Sequence, residues 1–137
     1  KKHYYLYMST IRELLATSGY SDRAIEYFVN RTNVGIIENP DAYCRHTGSC
    51  GDTIEVFLKI SSGKITEAKF QAIGCAGSFC SGSALTSMVI GKTLEESWDI
   101  NELDILEHLG NIPEEKVHCA HLTVTTFRKA ISDYQHK

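Results

Sequence analysis

The chain has 137 residues, a size that suits one domain with one core. Its formal net charge of -3, and the absence of any basic run or aromatic–basic stripe, argue against nucleic acid as the main partner. No apolar run reaches the roughly 18 residues of a membrane span. The lysine-led start lacks an apolar stretch and a small-residue cleavage site, so it does not read as a secretory signal, and a cytoplasmic setting is expected.

In chain order, Ile11, Leu14 and Leu15 share one helical face that stops at Gly19. A second helix follows Ser21 as N-cap, carries Ala24, Ile25, Phe28 and Val29 as its apolar stripe, and ends near Asn30. After the turn at residues 38–41, the residues 42–48 read as a short strand. The period then changes to two. Ile54, Val56, Leu58 and Ile60 face one way, against Thr53, Glu55, Phe57 and Lys59. A tight turn with Gly63 leads into a second alternating run. There Thr66, Ala68, Phe70 and Ala72 oppose Ile65, Glu67, Lys69 and Gln71.

Beyond Gly74 the chain becomes helical and rich in small residues up to Gly91. Thr93 with Glu96 has capping-box spacing, and Asn101 and Gly110 bracket another short helix. A long helix closes the chain after Pro113. Strands in the middle and helices at both ends predict a compact single α+β domain, not alternating βαβ units.

Five cysteines stand at 44, 50, 75, 80 and 119, an odd and scattered set that makes a poor disulfide framework. Such a set in a reducing compartment points to metal binding or thiol chemistry. Cys75 follows a strand and precedes a helix, and Cys119 sits where a helix starts. Both positions face unpaired backbone N–H groups, which favour the thiolate. Cys50 and Asp52 are two apart and point the same way if the chain is extended there. With His118 beside Cys119, three thiolates and a carboxylate suit a tetrahedral metal or a small iron–sulfur cluster. A phosphate loop at residues 74–83 is disfavoured, because the Gly-x4-Gly-Lys-Ser/Thr pattern is absent. Cys44 and Cys80 read as buried filler, and His46 and His121 as solvated or locally bonded groups, with orienting a nearby ligand as the alternative.

The ordered set Cys50-Gly51-Asp52, Gly74-Cys75 and His118-Cys119, with the segments around it from about Tyr20 to the C-terminus, resembles the U-type iron–sulfur scaffold proteins. These are the IscU-like proteins and the NifU N-terminal domain. The resemblance implies a three-stranded antiparallel sheet covered by helices, in a scaffold domain over residues 20–137. Residues 1–19 are expected to form an extra N-terminal helical extension, outside the resemblance. The resemblance implies a carrier rather than an enzyme, which receives sulfur from a cysteine desulfurase, accepts iron, assembles a transient [2Fe–2S] cluster and hands it to apo-proteins.

The ligands carried over are Cys50, Cys75 and Cys119, with Asp52 or His118 as the fourth. Cys119, at a mobile helix start, is the first candidate for persulfide acceptor. The chaperone-read Leu-Pro-Pro-Val-Lys segment is altered here: Glu114 and Glu115 follow Pro113 where the family has Pro and Val, so chaperone recognition is not carried over. Monomer and homodimer are both compatible with the sequence. Two other functions use the same residues, a structural zinc module and a persulfide-relay sulfurtransferase that builds no cluster. Zinc suits the ligand set equally.

Overall fold

The computed structural model describes residues 2–137, with side chains described from residue 8 onward. The reading of the chain's first residues as no secretory signal lies outside what is described. Three strands, β1 (Ala42–Thr47), β2 (Thr53–Ser61) and β3 (Lys64–Ile73), form an antiparallel sheet in the order β1-β2-β3. Around it lie α1 (Lys2–Ser18), α2 (Asp22–Asn30), α3 (Ala76–Val89), α4 (Leu94–Trp98), α5 (Glu102–Leu109) and α6 (Val117–Gln135). The expected α+β class and three-stranded sheet are both observed. No helix among the described residues is long and apolar enough to cross a membrane.

Local chemistry sets the boundaries. The Ser21 side chain accepts from the Ala24 N–H and so caps α2. Thr93 with Glu96, and Asn101 with Asp104, make reciprocal capping boxes on α4 and α5. Ser62 and Gly63 both take positive φ, which is what a two-residue turn between β2 and β3 requires.

One alternation differs from expectation. Ile65 lies inside with Ala68 and Phe70, while Thr66 is exposed. The pairing passes from Lys59↔Glu67 to Ile60↔Ile65, so Thr66 is an extra residue on β3. That bulge turns Ile65 onto the buried face, and the strict period of two fails at this point.

The inner sheet face, with Ile54, Val56, Leu58, Ile65 and Phe70, meets α3 and α6 in one apolar core that includes Leu85, Phe127 and Ile131. The small residues of α3 bring it very close to the sheet. A Cβ at Gly82 would lie 2.4 Å from the Phe70 ring, which is fully buried. Two buried hydroxyls of α3 bond to backbone: Ser83 donates to Thr32 O at 2.8 Å and Thr86 to Gly82 O at 2.7 Å. Cys80 is also core. Its thiol donates to Ala24 O, and burial pushes its pKa up to about 12. It belongs to neither group of converging donor atoms among the described residues. Cys44 is half-buried against the same core, and burial raises its thiol too. α1 joins α2 through an Arg12–Glu26 ion pair.

Candidate metal centre

Three chain segments converge at one end of the sheet. The first is the β1–β2 turn. Gly48 and Gly51 hold it by a Gly51 N–H to Gly48 O bond of 3.0 Å, and Gly51 takes φ 94°. The backbone between Cys50 and Asp52 is therefore a turn and not the extended run expected, yet both side chains still reach the site. Alternation is not what aligns them; the left-handed glycine between them redirects the chain. The second segment is the β3–α3 junction. There Cys75 is the N-cap of α3, with φ -87° and ψ 174°. The third is the start of α6, where Cys119 is the third helical residue.

Two overlapping trios of donor atoms result, each within 4.8 Å: Cys50, Asp52 and His118, and Asp52, Cys75 and Cys119. Asp52 belongs to both. The Cys75 and Cys119 sulfurs are 3.6 Å apart, and both cysteines are free. Two thiolates on one tetrahedral metal with bonds of about 2.3 Å stand roughly 3.8 Å apart, whereas a disulfide closes to about 2.05 Å. The observed spacing is that of a sulfur–sulfur hydrogen bond, and it is close to the separation of two ligands on one metal. His118 Nε2 lies 3.7 Å from Cys119 Sγ. All five residues singled out in the sequence thus meet here.

Burial is graded across the site. Cys119 is 0% exposed, Cys75 and Asp52 are half-buried, and Cys50 and His118 are exposed. Cys119, expected at a mobile helix start, is sealed from solvent. Gly77 packs over it, and a Cβ at Gly77 would lie 3.0 Å from Lys116 Cβ and 3.1 Å from Cys119 Sγ. The two thiols divide their roles. A hydrogen bond from Cys119 holds the Cys75 pKa down to about 5, helped by the backbone N–H groups of Ser78 and Gly77 and by Lys116. The same hydrogen bond, and burial, push the Cys119 thiol up. The helix-end effect expected at both positions acts only at Cys75, the cap itself.

Ser78 was not legible as a site residue. Its hydroxyl donates to Asp52 Oδ2 at 2.7 Å and holds the carboxyl below its usual range. The only sequence signal was its place three residues after Cys75, where an inward turn of α3 returns to the site. Gly74 is required by the same carboxylate: a Cβ there would lie 2.5 Å from Asp52 Cγ. His46 and His121 line a cleft of about 200 Å³ together with Cys50 and His118, so they border the exposed side of the site. His121 Nδ1 is 3.7 Å from Glu102.

The NifU-like N-terminal domain family matches residues 19–137. The chain belongs to this family. Among its NifU-like relatives, the iron–sulfur cluster assembly scaffold protein IscU 1 of Archaeoglobus fulgidus is 38% identical over 119 residues, 86% of this chain and 78% of that protein. The IscU scaffold protein of Azotobacter vinelandii is 36% identical over 123 residues, covering 86% of this chain and 95% of the relative. The crystal structure of the N-terminal part of a nitrogen-fixing NifU-like protein from Brucella abortus superposes with a TM-score of 0.68 at 22% identity. It covers 85% of this chain and 94% of that one, a likeness of fold. The NifU-like fold thus places the sheet end, the α3 cap and the α6 start around one donor set.

Proposed function

We propose that this NifU-like domain is an iron–sulfur scaffold: it takes up iron and desulfurase-derived sulfur, assembles a [2Fe–2S] cluster as cargo, and releases it to apo-proteins. The observation that carries this reading is the pair of donor trios joined at Asp52. A two-iron cluster needs four protein donors, two for each iron. Cys75 and Cys119 supply one iron at co-ligand spacing. Cys50, with Asp52 or His118, supplies the other.

Electrostatics supports a cation at the centre. A Cys75 thiolate lies 3.5 Å from the Asp52 carboxylate, with Lys116 as a nearby positive charge. Two anions this close in a half-buried site are costly until a metal joins them. The exposed Cys50 and His118 leave one side open for entry and exit. A carboxylate is a harder, poorer partner for cluster iron than a thiolate, so one corner is held loosely.

A purely structural zinc site fits less well. The apolar core closes without it, and its outer donors are exposed. Sulfur acceptance by Cys119 requires the cover formed by Gly77 and Lys116 to open. Incoming persulfide meets Cys50 and Cys75 first.

The test is sulfur transfer from a cysteine desulfurase in the presence of ferrous iron and a thiol reductant, which supplies the electrons that take persulfide sulfur to sulfide, to the wild type and to Cys50→Ser, Cys75→Ser and Cys119→Ser. A scaffold retains acid-labile sulfide only when all three cysteines are present. Full sulfide retention by Cys50→Ser, with loss only in Cys119→Ser, would identify a persulfide relay instead.

A further inference from the structure

We propose that Ser78 is a positioning residue that aims Asp52 at the metal. Ser78 is fully buried on the first turns of α3, and its hydroxyl lies between two of the donors. It is 2.7 Å from Asp52 Oδ2 and 3.6 Å from Cys119 Sγ. A hydroxyl has one proton to donate, and the shorter contact to a charged acceptor takes it. The bond engages Oδ2, the oxygen that also lies 3.5 Å from Cys75 Sγ, and so turns Oδ1 toward the metal.

The Cys75 backbone N–H also bonds the Asp52 carboxylate, but the Ser78 hydroxyl holds it more strongly. Asp52 leaves a turn and not a strand, it is half-buried, and Gly74 offers it room but no donor. Without the Ser78 hydroxyl, its strongest tie, the half-buried carboxylate is left on the weaker Cys75 contact and turns toward solvent. His118, in the same trio as Asp52 and Cys50, then takes its place. Ser78 thereby decides whether the displaceable corner is a carboxylate oxygen or an imidazole nitrogen, and so how readily the metal leaves.

This rests on the reading of Asp52 as a ligand, and the test separates the two. Cobalt(II) is bound to the apo-protein, its ligand-field absorption spectrum is recorded, and its release to a chelator is timed. Ser78→Ala removes one buried atom and keeps a good helix former, and a melting curve checks the fold. It is expected to give the spectrum of Asp52→Ala in place of the wild-type one. Release is expected to slow by about tenfold, the scale on which partners of a ligand act at metal sites. Ser78→Thr, which keeps the hydroxyl, is expected to match the wild type, and the Ser78→Ala/Asp52→Ala double variant to match Asp52→Ala alone. A wild-type spectrum for Ser78→Ala, or a double variant that departs from Asp52→Ala, would overturn the role of Ser78 and leave Asp52 a ligand. A wild-type spectrum for Asp52→Ala would overturn both. None of these outcomes depends on cluster assembly.

Discussion

Cys75 and Cys119 hold their sulfurs 3.6 Å apart across 44 residues of chain, one on the cap of α3 and the other inside the first turn of α6. The two differ in access and in charge. Cys75 is half-buried and held as thiolate, and Cys119 is sealed and held as thiol. In the native apo-protein, iodoacetamide is therefore expected to modify Cys50 and Cys75 first. Cys80 and Cys119 should react only on unfolding. Peptide mass spectrometry over a labelling time course checks the order, and early labelling of Cys119 would show that the Gly77–Lys116 cover opens readily.

Two glycines separate site from fold. Gly74→Ala places a methyl 2.5 Å from Asp52 Cγ, next to a half-buried side chain that is able to move. The expected outcome is a folded protein that, with the Asp52 carboxylate displaced, holds zinc as Asp52→Ala does, more tightly than the wild type. Gly82→Ala drives a methyl to 2.4 Å from the buried Phe70 ring, where nothing gives. That overpacking is expected to cost about 1–3 kcal/mol or more. Thermal melting and zinc titration of both variants check the separation.

Asp52→Ala removes the hard oxygen and leaves His118, 3.7 Å from Cys119 Sγ, as the donor at that corner. Imidazole suits iron better than carboxylate does. Cluster loss to an apo-acceptor is expected to slow relative to the wild type in a time course. Equal or faster loss would contradict the role of Asp52 as the loose corner.

His108 links α5 to α2. Its Nε2 is 2.6 Å from the Tyr27 hydroxyl, and Arg23 donates to its backbone carbonyl at 2.8 Å. A helix C-terminus favours a protonated imidazole. Burial, and then Arg23, outweigh that and lower the pKa below its usual 6.5. Because the charged form is disfavoured by folding, the contribution of a neutral His108 is fully present above the unfolded pKa. It is lost as pH falls through the lower folded value. The melting temperature of the wild type is expected to decline over that acidic range more steeply than that of His108→Gln.

Much of this was legible in the residues because each signal was local. Ser21, Thr93 and Asn101 cap what they were expected to cap, since capping depends on a few neighbouring atoms. The donor set was legible because Cys50, Asp52, Cys75, His118 and Cys119 are chemically unusual neighbours. The rest depends on what the chain meets in space. The bulge at Thr66 overrides the alternation of β3, and the turn at Gly51 replaces an extended run. The burial of Cys119 depends on Gly77 and Lys116 closing over it, and the bond between Ser78 and Asp52 joins residues 26 positions apart. None of these has a local signature.

The measurement closest to the central claim is anaerobic reconstitution of the apo-protein with ferric iron and sulfide, followed by iron and acid-labile sulfide counts and a visible spectrum. A scaffold is expected to give equal iron and labile sulfide and the charge-transfer bands of a [2Fe–2S] cluster. A colourless protein that keeps one tightly bound zinc and takes up no sulfide would contradict it.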